Sequence, residues 1–353
     1  MAPVIKLFQR DESVETHVCV TGQHKEMLYQ VLDFFEIIPD SDLELMRPNQ
    51  TLFDITTAAL KGLEPIVKQF NPDYIFVQGD TTTAFVGALA GFYEKRKVCH
   101  LEAGLRSHDL HSPFPEEGNR KLVGNLAQYH FAPTDIAVDN LKSEQASGVI
   151  TKVGNTVIDA LLLGLDIIKK NESDYRTHFE NIDLEKKIIL VTGHRRESFG
   201  EPFENICKAI KTIASNHPEI EIVYPVHLNP NVREVVGRVL SDLDNVKLIE
   251  PLDYPRLIWL MNQSHIVLTD SGGIQEEAPS LGKPVLVMRD VTERMEGVHA
   301  GTAKLVGTDY DKIVSETELL LTDQHAYETM AKSVNPYGDG TTSQQVLDYL
   351  KSI

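Results

Sequence analysis

The chain has 353 residues, of which 42% are hydrophobic and 24% are charged, and its formal net charge at pH 7 is −18. This acidic balance argues against nucleic acid as a partner, because a phosphate backbone is neutralised by clustered lysine and arginine. A membrane partner is also not expected, since no apolar run approaches the roughly 18 residues of a spanning helix.

Short β-branched runs alternate with helical stretches along the whole chain, which predicts an α/β fold of parallel sheets wrapped by helices. The length indicates two such domains rather than one. In chain order, we expect strands at residues 15–21, 73–78, 97–101, 129–132, 150–153, 187–192, 220–226, 246–249, 266–269, 285–288 and 303–306. Helical periodicity fills most of the gaps, for instance at residues 81–95, 202–215 and 309–321.

A polar segment near residues 168–187 separates the two groups of strands, so we expect the domain junction between residues 153 and 187. The N-terminal Rossmann-like domain is assigned to residues 1–160 and the C-terminal one to 161–339, with a helix at 340–353 packing back on the first domain. Two doubly wound domains facing across a cleft would hold a ligand at their strand ends. Residues 3–10 resemble the later part of a helix, which indicates that a first strand and loop are missing.

Three cysteines, Cys19, Cys99 and Cys207, are far apart and show no Cys-x-x-Cys spacing, which predicts free thiols in a reducing compartment. The N-terminal residues lack the basic start and apolar core of a secretory signal, so we expect a cytoplasmic protein. The histidines and carboxylates show no metal-ligand spacing, and we expect neither a metal nor a cofactor.

Three carboxylates follow one another at predicted strand and helix junctions of the first half. Asp80 follows the strand at 73–78, Glu102 follows the next strand, and Glu116 lies at a helix start after a proline-rich loop. Each has a structural alternative, as a helix cap or as an acid favoured by the helix dipole. Their recurrence at one sheet edge predicts a shared site, in which one carboxyl keeps its proton and both a general base and a general acid are available.

Three loops of the second half are suited to a diphosphate. One carries His194 and Arg195, where a bare solvated charge run is the alternative, and a second carries His227 and Asn229. The third contains the turn formed by Ser271, Gly272 and Gly273, which allows backbone to approach a phosphate closely. Glu277, one turn into the next helix, is placed to accept hydrogen bonds from a ribose diol.

Six motifs together resemble the bacterial non-hydrolysing UDP-N-acetylglucosamine 2-epimerases, and the resemblance covers essentially the whole chain. The motifs are GDTTT (79–83), HLEAGLR (100–106), PEEGNR (115–120), GHRRES (193–198), PVHLNPN (225–231) and DSGGIQEE (270–277). The resemblance implies a glycosyltransferase-B-like pair of Rossmann domains, a homodimer and a role in cell-surface polysaccharide biosynthesis.

The activity implied by this resemblance is reversible epimerisation of UDP-GlcNAc to UDP-ManNAc at C2, by elimination of UDP to 2-acetamidoglucal and re-addition. The resemblance assigns catalysis to Asp80, Glu102, Glu116 and His194. It assigns substrate binding to Arg195, His227, Asn229, Ser271, Gly272, Gly273 and Glu277, and an allosteric pocket to Gln23 and His24.

Two alternatives share the same architecture: a transferase that passes the sugar to an acceptor, and a catalytically impaired form that only binds UDP-sugars. The second alternative is raised by the absent N-terminal loop, because family members carry an arginine and a lysine there. On this second alternative, the chain would bind UDP but turn over poorly or not at all.

Overall fold

The computed structural model describes residues 1–22, 25–47, 49–195 and 198–353, and the chain forms two compact units. Unit 1 comprises Met1–Leu163 and Tyr337–Ile353, and unit 2 comprises Gly164–Pro336. The first boundary, between Leu163 and Gly164, falls inside a continuous helix, α7 (Thr156–Lys169). Among the residues described, no helix is both long and apolar enough to traverse a lipid bilayer.

Unit 1 contains a four-stranded parallel sheet in the order β3-β4-β5-β6 and a separate parallel pair, β1-β2. In chain order its remaining elements are α1 (Ala2–Arg10), β1 (Cys19–Val20), α2 (Lys25–Phe34), β2 (Ser41–Asp42), α3 (Leu52–Phe70), β3 (Tyr74–Gln78), α4 (Thr82–Tyr93), β4 (Lys97–Leu101), α5 (Glu116–Leu126), β5 (Tyr129–Ala132), α6 (Asp135–Ser143), β6 (Val149–Lys152) and, at the end of the chain, α16 (Thr342–Lys351). The strand predicted at 15–21 is reduced to two residues, and its partner β2 is too short to show an alternating pattern.

Strand β4 shows why this sheet has helices on both faces. Val98 packs in a cluster with Ala84 of α4 and Val123 of α5, whereas Cys99 packs in a different cluster with residues of α1 and α16. Successive side chains of a strand point to opposite faces, so a strand that is apolar at consecutive positions must be covered on both sides. The carboxyl end of this sheet is left for polar residues.

Unit 2 is a doubly wound domain with one parallel six-stranded sheet in the order β12-β11-β10-β7-β8-β9. Besides the end of α7, it contains α8 (Glu172–His178), β7 (Ile188–Thr192), α9 (Glu201–Asn216), β8 (Glu221–Pro225), α10 (Pro230–Leu240), β9 (Val246–Ile249), α11 (Tyr254–Gln263), β10 (Ile266–Thr269), α12 (Gly272–Ser280), β11 (Val285–Val287), α13 (Met295–His299), β12 (Ala303–Leu305), α14 (Tyr310–Thr322) and α15 (Gln324–Ala331). The predicted α/β class with doubly wound parallel strands is confirmed.

The strand order of unit 2 reverses between β7 and β10, which is the position where such sheets bind ligands. Thr192 at the end of β7 is paired with Thr269 at the end of β10, and their hydroxyl oxygens are 2.6 Å apart. Both strands therefore end at the same level, and the two loops that follow them start side by side.

Candidate functional site

The carboxyl edge of unit 1 brings Asp80 and Glu102 next to each other. The backbone N–H of Gly79 donates to the carbonyl of Leu101 at 3.1 Å, which joins the end of β3 to the end of β4. Gly79 has a φ of +69°, and a Cβ atom at that position would lie 3.7 Å from Oε2 of Glu102. The residues that follow the two strands consequently share one corner of the sheet.

Arg120 on α5 holds Asp80 by its charge. Its Nε and Nη2 atoms are 2.9 and 2.8 Å from Oδ2 of Asp80, and its Nη1 is 3.0 Å from Oε2 of Glu117. The Arg120 side chain is 9% exposed and that of Glu117 is fully buried. The guanidinium group carries its N–H donors in a rigid fork, so Arg120 links two carboxylates in a fixed arrangement.

Glu117 extends this arrangement to the loop before α5. Its carboxylate accepts hydrogen bonds from the backbone N–H groups of Ser107 at 3.0 Å and His108 at 3.3 Å. A buried carboxylate is tolerated when it is paired and hydrogen-bonded in this way. Neither Glu117 nor Arg120 was selected as a site residue from the sequence, although Arg120 lies one helical turn after Glu116 and therefore on the same helix face.

Glu116 lies in the first turn of α5, and this turn contacts the same corner. Asn119, three residues later, donates from Nδ2 to the carbonyl of Asp80 at 2.8 Å, which ties this turn of the helix to the end of β3. One carboxylate oxygen of Glu116, Oε2, is buried without a hydrogen-bond partner among the described residues. The three predicted carboxylates thus lie at one edge of one sheet, each in a different environment.

Glu102 lies in a turn whose conformation depends on a nearby glycine, Gly104. Its own φ is +59°, a left-handed conformation that is uncommon for residues other than glycine and that recurs at functional sites. Two residues later, Gly104 has a φ of +95°, and a Cβ atom there would lie 2.2 Å from the carbonyl oxygen of Ala137. Only glycine fits at 104, so the close packing against α6 fixes the turn that carries Glu102.

His100 supports this edge from inside the sheet. Its Nε2 atom lies 2.8 Å from the carbonyl oxygen of Gly79, and burial lowers its pKa to about 4. The ring is neutral at physiological pH, so Nε2–H donates to that carbonyl. His100 therefore holds the turn before Asp80 without adding charge to the site.

In unit 2, the loops after β7 and β10 are joined by Asp270. Its Oδ2 atom accepts the backbone N–H groups of His194 at 2.7 Å and Arg195 at 2.8 Å. Tyr224 of β8, which is fully buried, donates from its hydroxyl to the carbonyl of Gly193 at 2.6 Å. The basic loop is consequently held by its backbone, and its side chains are left for other contacts.

His194 and His227 lie ring against ring, with centroids 4.9 Å apart and planes at 7°. The backbone N–H of Asn229 donates to Nδ1 of His227 at 3.1 Å, which places the proton of the neutral ring on Nε2. Burial and the neighbouring His194 lower the pKa of His227. Asn229 also caps α10, because its Oδ1 accepts from the N–H of Asn231 at 3.0 Å.

The start of α12 is a second place where backbone N–H groups are available. Ser271 precedes the helix and makes no side-chain capping hydrogen bond, while Gly272 and Gly273 form its first positions. Arg294 approaches this turn, since its Cζ atom would be 3.5 Å from a Cβ at Gly272. Glu293 lies equally close to this turn and pairs with Arg294, so the suitability of the turn for an anion rests on the backbone N–H groups of the helix N-terminus.

Glu277 lies on the same helix and is almost fully buried. Burial raises its pKa to about 7, against an opposing hydrogen bond from the hydroxyl of Tyr254, whose oxygen is 3.0 Å from Oε1. Tyr254 begins α11, so two helices of unit 2 meet at this carboxyl group. Glu277 can therefore exchange a proton near neutral pH.

Two predicted residues, Gln23 and His24, lie outside the described residues, as does Arg196 in the basic loop. Within the described part of the chain, no group of three or more histidine, cysteine, aspartate or glutamate side chains is arranged to hold a metal ion.

Comparison with known proteins gives consistent results over the full length of the chain. The family model described as UDP-N-acetylglucosamine 2-epimerase matches residues 6–351. A UDP-N-acetylglucosamine 2-epimerase of Yersinia pestis is 55% identical over 357 residues, which cover 100% of this chain and 95% of the relative.

Solved structures give the same result. The structure of UDP-GlcNAc 2-epimerase from Neisseria meningitidis bound to UDP-GlcNAc matches with a TM-score of 0.90 and 48% identity, covering 100% of this chain and 96% of that one. The Methanocaldococcus jannaschii UDP-GlcNAc 2-epimerase in complex with UDP-GlcNAc and UDP matches with a TM-score of 0.80 and 31% identity, covering 100% and 96%. This chain is an isomerase that belongs to the UDP-N-acetylglucosamine 2-epimerase family.

Proposed function

We propose that this protein interconverts UDP-GlcNAc and UDP-ManNAc by inverting C2 of the sugar. The observation that carries the proposal is the convergence of Asp80, Glu102 and the first turn of α5 at one edge of the unit 1 sheet, in a chain that belongs to this family. A cluster of carboxyl groups in unlike environments supplies both a base and an acid, which a proton removal and a proton return require.

The reaction proceeds through a glycal. The C2 hydrogen has no adjacent carbonyl to stabilise a carbanion, so it becomes removable only as the C1–O bond to UDP breaks and positive charge grows on the ring. Loss of the C2 proton and of UDP gives 2-acetamidoglucal. UDP then adds back at C1 while a proton is delivered to C2 from the opposite face, which completes the inversion with all atoms conserved.

The residues of unit 2 are proposed to bind and stabilise the departing UDP. Arg195, His194 and the N–H groups at the start of α12 are suited to the diphosphate, where the negative charge develops. Gly272 and Gly273 leave room for close approach, and Glu277 is proposed to accept hydrogen bonds from the ribose. His227 supplies the ring against which His194 stacks, and the backbone N–H of Asn229 holds that ring in place.

The test is proton exchange at C2. The protein is incubated with UDP-GlcNAc in deuterated water, and the sugar is followed by NMR; we expect deuterium at C2 together with UDP-ManNAc. Glycosylation of an added acceptor without deuterium at C2 would show a transferase. Release of free ManNAc and UDP would show a hydrolytic enzyme, and tight UDP-GlcNAc binding with neither product would show a binding module.

Asp80→Asn tests the carboxylate edge. We expect C2 exchange to fall by roughly 100- to 10,000-fold, the usual contribution of a general acid or base, while UDP binding measured by calorimetry stays within about threefold. Asp135→Asn is the control, because Asp135 is 81% exposed and pairs with the exposed Lys152. Near-normal exchange in Asp80→Asn would remove Asp80 from the mechanism.

Two further parts of the proposal concern location and assembly. The three cysteines are free thiols, two of them buried, which fits a reducing compartment and supports a cytoplasmic enzyme. The homodimer implied by the family resemblance stays a prediction, and sedimentation velocity of the purified protein tests it.

A further inference from the structure

Asp270 is a buried carboxylate with no role in the scheme above. It follows β10 directly and is 3% exposed, at the point where the strand order of unit 2 reverses. One oxygen, Oδ2, accepts two backbone N–H groups, from His194 and Arg195. The other oxygen, Oδ1, is buried and makes no hydrogen bond to any described residue.

The oxygen without a donor faces the ring of His194. Oδ1 lies 3.8 Å from Nδ1 of that ring, which is beyond hydrogen-bond distance but within reach of a small ring rotation. Buried carboxylate oxygens are normally satisfied, so an oxygen left open toward an imidazole nitrogen points to a contact that the ring completes when it engages a ligand.

The His194 ring is restricted in the other directions. It stacks on His227, whose own tautomer is fixed by the N–H of Asn229. Stacking sets the plane of the His194 ring, and Nδ1 is the nitrogen on the side of Asp270. Nε2 therefore lies on the side away from Asp270, and the His194 side chain as a whole is 46% exposed.

We propose that Asp270 is a positioning residue for the reaction: it holds the loop of His194 and Arg195 by two backbone hydrogen bonds and keeps the proton of the His194 ring on Nδ1, so that Nε2 meets the substrate. This inference rests on the proposed function, because it needs His194 to act on the sugar nucleotide. The carboxylate also complements the positive charge of the ring whenever His194 is protonated against the diphosphate, which is the logic of an Asp-His pair in other enzymes.

Asp270→Asn separates the two parts of this role. The amide oxygen of the variant can still accept the N–H groups of His194 and Arg195, so the loop keeps its backbone bonds. The NH₂ group then takes the place of Oδ1 and donates toward Nδ1, which forces that nitrogen to be an acceptor. The proton of the neutral ring moves to Nε2, which reverses the tautomer presented to the substrate.

The experiment uses the full chain and compares wild type with Asp270→Asn in the C2 exchange assay. We expect kcat to fall by about 100-fold or more, with KM for UDP-GlcNAc within about threefold, because the loop stays in place while the ring presents the wrong nitrogen. The ¹⁵N chemical shifts of the His194 nitrogens, assigned against the spectrum of His194→Gln, should show N–H at Nδ1 in wild type and at Nε2 in Asp270→Asn.

Asp323→Asn is the matched control. Asp323 also accepts two backbone N–H groups on one oxygen, those of His325 and Ala326, but it does so at the start of α15. This variant should keep kcat within about twofold of the wild-type value. Equal loss of kcat in both variants would show a general structural effect and overturn the proposal.

Two other outcomes would also overturn it: wild-type kcat in Asp270→Asn, or a loss of kcat with an unchanged tautomer. A wild-type protein that shows no C2 exchange would refute the proposed function instead. In that case a reversed proton position in Asp270→Asn would still show that Asp270 sets the tautomer of the His194 ring, while the role of that tautomer in the reaction would fall with the proposed function.

Discussion

Two pairs of carboxylates, one pair in each unit, are held by different kinds of donor. In unit 1, Asp80 and Glu117 share the guanidinium of Arg120, so a positive charge joins them. In unit 2, Asp270 is held by neutral backbone N–H groups and Glu277 by the hydroxyl of Tyr254. The pKa of Glu277 is raised to about 7 by burial, which a neutral hydroxyl donor does not offset.

This difference shows that burial alone does not define the chemistry of a carboxyl group. The guanidinium of Arg120 fixes the geometry of Asp80 and Glu117, whereas Glu277, which is buried against a neutral hydroxyl, has a pKa raised to about 7. The predictions below test this contrast, beginning with the largest expected effect.

Replacing Arg120 with glutamine should destabilise unit 1 by about 3 to 5 kcal/mol. The change leaves Glu117 buried without its cation, which is the costly way of breaking a buried ion pair. Urea denaturation followed by circular dichroism measures the effect. Tryptophan fluorescence would not serve here, because the single tryptophan, Trp259, lies in unit 2 and reports that unit only.

Arg176→Gln is the control for this variant. Arg176 pairs with Glu172 one helical turn away, and their side chains are 58% and 42% exposed, so we expect a loss below about 0.5 kcal/mol. A loss below about 1 kcal/mol in Arg120→Gln would mean that the two carboxylates of unit 1 do not depend on a cation, and the contrast between the units would fail.

Replacing Glu277 with glutamine should change how the stability of unit 2 depends on pH. The folded pKa of Glu277, about 7, is above its ordinary value of 4.5, so the folded state binds more protons between these values and wild-type stability falls as pH rises from 4.5 to 7. The full destabilisation that ionised Glu277 causes in the wild-type protein, roughly 3 kcal/mol, is present above pH 7 and absent below pH 4.5. Glu277→Gln removes it.

Trp259 fluorescence in urea at pH 5 and pH 8 measures this effect without ligand. We expect the variant to gain stability relative to wild type at the higher pH. Glu234→Gln, at an exposed position of α10, is the control and should show the same difference from wild type at both pH values. A pH-independent difference for Glu277→Gln would show that this carboxyl group stays ionised throughout.

Replacing Tyr254 with phenylalanine should cost about 1 kcal/mol, and mainly at high pH. The Tyr254 hydroxyl lowers the pKa of Glu277, so its loss raises that pKa further and removes a donor that matters when the carboxylate is ionised. Tyr310→Phe is the control, because the Tyr310 hydroxyl lies 2.8 Å from the neutral hydroxyl of Thr212. Equal costs at pH 5 and pH 8 in Tyr254→Phe would contradict the prediction.

The smallest effect compares two residues that precede helices at the strand ends. Thr81 caps α4 by accepting the N–H of Ala84, whereas Ser271 makes no such bond at α12. Thr81→Ala should cost about 1 kcal/mol of stability in unit 1, and Ser271→Ala less than about 0.5 kcal/mol in unit 2. Calorimetry with UDP completes the test, because Ser271→Ala should weaken UDP binding and Thr81→Ala should not.

The fold could be predicted from the sequence because buried parallel strands give continuous apolar runs. The run at 266–269 predicted β10 with its observed bounds, since all four residues are buried in the middle of a sheet. The pair β1 and β2 could not be predicted in the same way, because two-residue strands have no periodicity and depend on tertiary pairing.

Only part of the site could be predicted from the sequence, because some of its residues depend on tertiary contacts. Positions after strands, such as Asp80 and Glu102, were selectable because parallel strands end at one edge. The supporting residues were not, because the role of Arg120 depends on which carboxylates reach it and the role of Asp270 depends on the neighbouring strand β7. Sequence order does not contain these contacts, and only the register of the sheets supplies them.

The position of α16 has a consequence for how the protein is synthesised. Val346 and Leu347 of this last helix are buried in the same cluster as Val4 of α1, whereas unit 2 is one uninterrupted segment. On the ribosome, unit 2 has all its residues before the final helix emerges, so it can complete its core first. Unit 1 cannot complete its core until α16 has emerged. Until then, the apolar face that α16 covers stays exposed, and a chaperone would bind the nascent chain there.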